Sequence, residues 1–238
     1  MSRNWLAAAL VAGGTSLLSP LALGHPVATD PSEAVSASFD IVETRIVTNG
    51  DKAVFTTRVR GKAGHDTPAA TGKFENAEVY AYVWPTSLDS GEIGFDKAQG
   101  TVALAVTFHP DFDDAAFGGK NRERWHPHWV VLAEDKACGG GLKVVDIPKG
   151  ASPRLPATWP NVPLLIDSPD YPTTLSGNTV EVEIPLSLIG GIAGAAYDGV
   201  TGGLKVNANL HAPLLCVADV FKIASGRLTL PGRVMPAR

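Results

Sequence analysis

Residues Thr101 to Phe108 read TVALAVTF, an apolar run without glycine, proline or charge that is too short for an independent helix. In an extended chain Val102, Leu104, Val106 and Phe108 fall on one side, and Thr101, Ala103, Ala105 and Thr107 on the other with His109. The stretch predicts a strand with one core face and a histidine at its end on the opposite face.

The same two-residue period recurs outward in both directions, between clusters of Gly, Pro, Asn and Asp. Residues 37–47 and 53–59 flank Asn49-Gly50-Asp51, a hairpin turn signal. Further runs cover residues 78–84, 128–133, 142–147, 179–184, 204–210 and 215–223. These make about nine strands, enough for an all-β, antiparallel two-sheet β-sandwich, immunoglobulin-like or related. Two long connections interrupt them, a proline-rich one over 148–172 and an aspartate-rich one over 111–124. Connections of that length in a compact domain tend to carry function.

The first residues hold Arg3, an apolar stretch from Trp5 to Leu23, and the small-residue exit Ala22-Leu23-Gly24. This is the layout of a secretory signal peptide over 1–24, followed by one domain over 25–238. The expected location is periplasmic or extracellular. No later apolar stretch has spanning length, so no transmembrane anchor is expected once the signal is removed. In an oxidising compartment the two cysteines, Cys138 and Cys216, are expected to pair; two buried thiols are the alternative.

With a net charge of −4 and no basic cluster, the chain lacks the electrostatic footprint of a nucleic-acid binder. It also lacks a G-x-S-x-G elbow, a phosphate loop and an H-E-x-x-H helix. Its chemistry gathers in histidine. His126 and His128 lie in RWHPHWVV, residues 124–131, and share parity, so both rings can point the same way. Pro127 between them implies an edge position or a bulge. His211 ends a run in which Asn207 and Asn209 oppose Val206, Ala208 and Leu210, again on the polar side. Neutral imidazole is the commonest protein metal ligand, and His109, His126, His128 and His211 converging would suit copper or zinc. Hydrogen-bonded structural histidines are the competing account.

In HPDFDD, residues 109–114, Asp111 and its neighbours Asp113 and Asp114 could offer oxygens to calcium or magnesium. The EF-hand glycine and distal glutamate are missing, and an acidic turn or Asx-type cap explains the same residues. Cleavage after Gly24 would make His25 the first residue, its amine and ring nitrogen forming a copper chelate that resembles the histidine brace.

Through RWHPHWVV, HPDFDD and NANLHAPLLC (207–216) the chain resembles the exported copper-binding proteins of methane-oxidising bacteria, the CorA and MopE type. That resemblance implies a secreted, β-rich protein with a copper(I) ligand pair among His109, His126, His128 and His211. It also implies Trp125 or Trp129 as a tryptophan oxidised to kynurenine.

Together these readings predict an exported metal-binding protein, with copper before zinc, that serves acquisition, storage or tolerance. Two alternatives remain open: a secreted metalloenzyme with an open coordination position, and a surface or interaction module whose histidines are structural.

Overall fold

Gly50 takes φ 61°, the left-handed region open to glycine, and the hairpin predicted around it pairs outward from Asn49↔Lys52. The computed structural model describes residues 26–114, 118–147, 166–209 and 211–236. The expected signal peptide, His25 and most of the proline-rich connection lie outside these residues.

In chain order the strands are β1 (Val27–Ala28), β2 (Ile41–Asn49), β3 (Lys52–Val59), β4 (Glu78–Pro85), β5 (Thr101–Phe108), β6 (His126–Glu134) and β7 (Leu142–Val144). They continue with β8 (Thr173–Ser176), β9 (Thr179–Pro185), β10 (Ala196–Tyr197), β11 (Val200–Val206), β12 (Leu215–Ile223), β13 (Gly232–Arg233) and β14 (Met235–Pro236). One sheet runs β1-β2-β3-β9-β8, with β14 added parallel to β2. Strands β11-β12-β7-β6-β5-β4 close into a six-stranded antiparallel barrel, and β10 pairs β13 separately.

The all-β, antiparallel character is as predicted, whereas the arrangement differs from an open nine-strand sandwich. The difference lies in strands such as β5, which is buried on both faces. Its Val102, Leu104 and Val106 belong to a core shared with Ile46 and Phe55 of the outer sheet. Phe55 meets Trp84 and Trp129 edge to face, with centroids 5.9 and 6.0 Å away. The opposite residues, Ala103 and Ala105, join a second core with Val79, Val130, Val144, Val206 and Leu215, inside the barrel. A face of small apolar residues lets the sheet curl until it meets itself, and the barrel interior takes the place of the solvent that a sandwich would leave there.

Closure is uneven around the barrel. β11 pairs β4 over six consecutive residues, Val200–Lys205, but β12 meets β7 through the single pair Cys216↔Lys143. At this seam the expected disulfide forms, joining Cys138 to Cys216 across 78 residues. The outer sheet is tied to the barrel elsewhere by Asp40, whose buried carboxylate accepts from Arg60 Nε at 2.7 Å and from Lys222 of β12.

Candidate metal centre

β5 and β6 are neighbours, and their register sets Thr107 opposite His126 and Ala105 opposite His128. Residues opposite one another across a ladder share a face, so His126 and His128 stand on the barrel-facing side with Ala105 and Thr107. His109, two residues past Thr107, keeps that parity. β7 pairs β6 only over Leu132–Glu134, so among the described residues the half of β6 that carries Pro127 has β5 as its ladder and, on its other edge, the isolated bridge Trp129↔Asp167. That is the edge-like setting proline requires.

Each of the three rings is anchored through Nδ1 to a backbone carbonyl. His109 Nδ1 lies 2.8 Å from the Phe112 carbonyl, His126 Nδ1 3.0 Å from that of Arg124, and His128 Nδ1 3.1 Å from that of Asp167. A carbonyl only accepts, so each Nδ1 carries a proton, and in the neutral ring each Nε2 presents its lone pair. The three Nε2 atoms face a common point. His109 Nε2 is 3.0 Å from His126 Nε2.

The fourth member is Asp114. Its Oδ2 lies 2.8 Å from His126 Nε2, 3.5 Å from His109 Nε2 and 3.6 Å from His128 Nε2. The carboxylate is held by the side-chain amide of Asn121 on Oδ1 and by the Ser168 hydroxyl on Oδ2 at 3.2 Å. All four side chains are buried, and their ligand atoms lie within 4.8 Å of one another. Tetrahedral ligands about 2.0–2.1 Å from a zinc ion stand about 3.3–3.4 Å apart, a value inside the range of separations here, which begins at 2.8 Å and does not exceed 4.8 Å.

The electrostatics are those of a cation site. Burial pushes the His109 ring below its usual value, with the nearby His126 ring acting in the same direction and Asp114 opposing. Burial, then His126, takes His128 down to about 3. Burial works to raise Asp114, yet the His109 and His126 rings against it outweigh that and hold it far below the ordinary carboxylate range. Unprotonated imidazoles and an ionised carboxylate are the ligand forms a metal requires. Behind His128, burial drives the Asp167 carboxyl up to about 8, opposed only by the Ser168 backbone among the described residues.

The structure thus brings together three of the predicted histidines with Asp114, one of the three loop carboxylates, and leaves Asp111 and His211 out. Asp111 is buried but turned away. Its Oδ1 accepts from the backbone amides of Thr71 and Gly72 at 2.7 and 2.6 Å, and its Oδ2 from the Thr71 hydroxyl at 2.8 Å. It fixes a loop about 40 residues earlier in the chain, rather than capping the segment that follows it. Asp113 likewise holds Asn121 and Arg122. His211 is exposed in the turn between β11 and β12. β11 ends at Val206, and Asn207 there bonds Leu214 N and the Ala212 carbonyl, curling the chain and ending the alternation on which His211's placement rested. His25 lies outside the described residues.

Asp114 was one of three loop carboxylates in HPDFDD, and alternation does not choose among residues in a loop. Its selection depends on Asn121 and Ser168, 7 and 54 residues away. Trp129 is buried with its indole N–H donating to the Tyr171 hydroxyl at 3.3 Å, and Trp125 donates to the Gly64 carbonyl at 3.3 Å. No protein-family model, curated protein or solved structure matches this chain.

Proposed function

We propose that this chain is an exported protein that holds one transition-metal ion on His109, His126, His128 and Asp114, and that it serves metal acquisition, storage or tolerance. The carrying observation is the common anchoring of the three rings. With every Nδ1 proton committed to a main-chain carbonyl, the three rings in their neutral form turn lone pairs toward a carboxylate in one buried space, an arrangement that a metal ion satisfies at every donor. Metal-binding histidines are characteristically held in this way through their other ring nitrogen. Structural histidines in a core have no reason to aim three lone pairs at one carboxylate.

The donor set narrows the ion. Three imidazoles and a carboxylate, with no thiolate or thioether among them, suit copper(II) and zinc better than soft copper(I). Calcium takes six to eight oxygens, and the group offers one carboxylate. The disulfide supports an oxidising compartment, in keeping with export.

The test is metal analysis of protein loaded separately with copper(II) and zinc, then dialysed. One equivalent of retained metal is expected, with affinity falling more than roughly 100-fold in His126→Ala and Asp114→Asn. His211→Ala and Asp111→Asn should bind as the parent does. Retention below one equivalent for both ions, or equal affinity in the two ligand variants, would sink the reading.

A further inference from the structure

The metal group stands at one end of a cavity inside the barrel. A six-stranded barrel is narrower than the eight-stranded ones that hold a ligand, and its interior is expected to fill with side chains. Here a space of about 120 Å³ persists. The reason lies in small residues facing inward: Ala81 on β4, Ala105 on β5 and Gly202 on β11 all line it. His109 and His128 line it too, whereas His126 and Asp114 do not, so the cavity reaches the ion's position from one side.

Strand register gives the cavity its direction. Tyr80 pairs with Phe108, and Pro85 with Ala103; Lys205 lies beside Glu78, and Val200 beside Val83 and Ile223. The histidines therefore mark one end of the barrel, and Pro85, Val200 and Ile223 the other. Leu228, beyond the far end of β12, and Val220, beside Gly202 part-way along it, border the cavity and are the two large hydrophobic residues left exposed among the described residues, at 38% and 53%. Apolar residues kept at a rim, next to a space they do not collapse into, mark an entrance.

We infer that this cavity is a binding chamber for a small neutral molecule, apolar over its body, with one lone-pair atom directed at the metal. The size follows from comparison: an apolar cavity of about 150 Å³ holds benzene. The neutrality follows from the lining, which among the described residues contains no lysine or arginine and carries the exposed acid Asp219 next to Val220. An anion would be repelled at the entrance and uncompensated along the walls. The single donor atom follows from the two lining residues, His109 and His128, that also belong to the metal group and so bring the ion's position to the inner end. The chamber deepens the proposed metal reading and rests on it for that last element only.

Benzene and pyridine test this, because they share a shape and differ by one lone-pair nitrogen. Binding is followed by ligand-observed NMR on zinc-loaded and chelated protein, and by the visible spectrum of the cobalt(II) form. Benzene should bind saturably to both forms with similar affinity. Pyridine should bind the loaded form at least roughly tenfold more tightly and alter the cobalt spectrum, which benzene should leave unchanged. Ala81→Leu, and independently Val217→Phe should the first variant fail to fold, should abolish both while retaining the parent's metal stoichiometry. Absence of saturable benzene binding to folded, metal-loaded protein, or binding indifferent to both wedges, overturns the chamber and leaves the metal reading standing. Pyridine binding that ignores the metal overturns the donor-directed orientation. Failure to take up metal would be read separately, in the metal analysis.

Discussion

Asp66 shows how far one side chain's surroundings set its behaviour. Hydrogen bonds from the Ser36 and Ser38 hydroxyls, then from His65, bring its carboxyl from 3.8 down to about 2, with burial opposing. The folded protein therefore releases this proton more readily than the unfolded chain does. Asp66 contributes stability that is complete above about pH 4 and is lost as pH falls through about 2. Asp66→Asn should accordingly flatten the acid limb of a Tm-against-pH profile between these limits, and a limb of unchanged slope would refute the assignment. At the same scale, the sequence made three ligands legible and one not. His109, His126 and His128 sit on or beside strands, where parity alone orients a side chain. Asp114 sits in a loop, where contacts with Asn121 and Ser168 decide.

Among the elements, β7 and β12 form the weak seam of the barrel, with one register pair between them. The residue that makes this pair, Cys216, is also half of the disulfide, so a covalent bond stands where the hydrogen-bond ladder is thinnest. Closing a loop of this length restricts the unfolded chain by on the order of 4 kcal/mol. A Cys138→Ser, Cys216→Ser variant should lose stability of about that size in urea titration, and amide exchange should accelerate in β7 and β12 ahead of β2, β3 and β9. Uniform acceleration across both sheets would contradict a local role. The boundaries of β5 and β12 were readable because their apolar runs end abruptly, at Phe108 before His109-Pro110 and at Ile223 before Ala224-Ser225-Gly226. β11 was displaced toward the C-terminus because Gly202 and Gly203 look like a turn. In the structure they occupy bulged positions in the ladder with β12. Closure itself was hidden because alanine on the second face of β5 is compatible both with a lightly exposed surface and with a crowded interior.

For the molecule as a whole, an ion on this group would join segments that the chain keeps apart: the end of β5 with the loop after it, the start of β6, and residues 167–168 through Asp114 and His128. Binding to the folded form alone raises its stability by about 4 kcal/mol at a thousandfold excess over Kd, or roughly 10 °C for a domain of this size. Zinc or copper(II) should therefore raise Tm by that order, a chelator should reverse it, and His128→Ala should show no shift in scanning calorimetry. A chelator without effect on fully loaded protein would argue against coupling between the ion and the fold. The ring anchors carry a further consequence for how such a centre can be altered. Phe112, Arg124 and Asp167 contribute main-chain oxygens, which every amino acid possesses. Point substitution can delete a ligand here, or the Phe112 ring stacked on His109, but it cannot remove the carbonyl that each Nδ1 uses. Sequences could diverge widely around the four ligands while their aim is inherited through the course of the backbone.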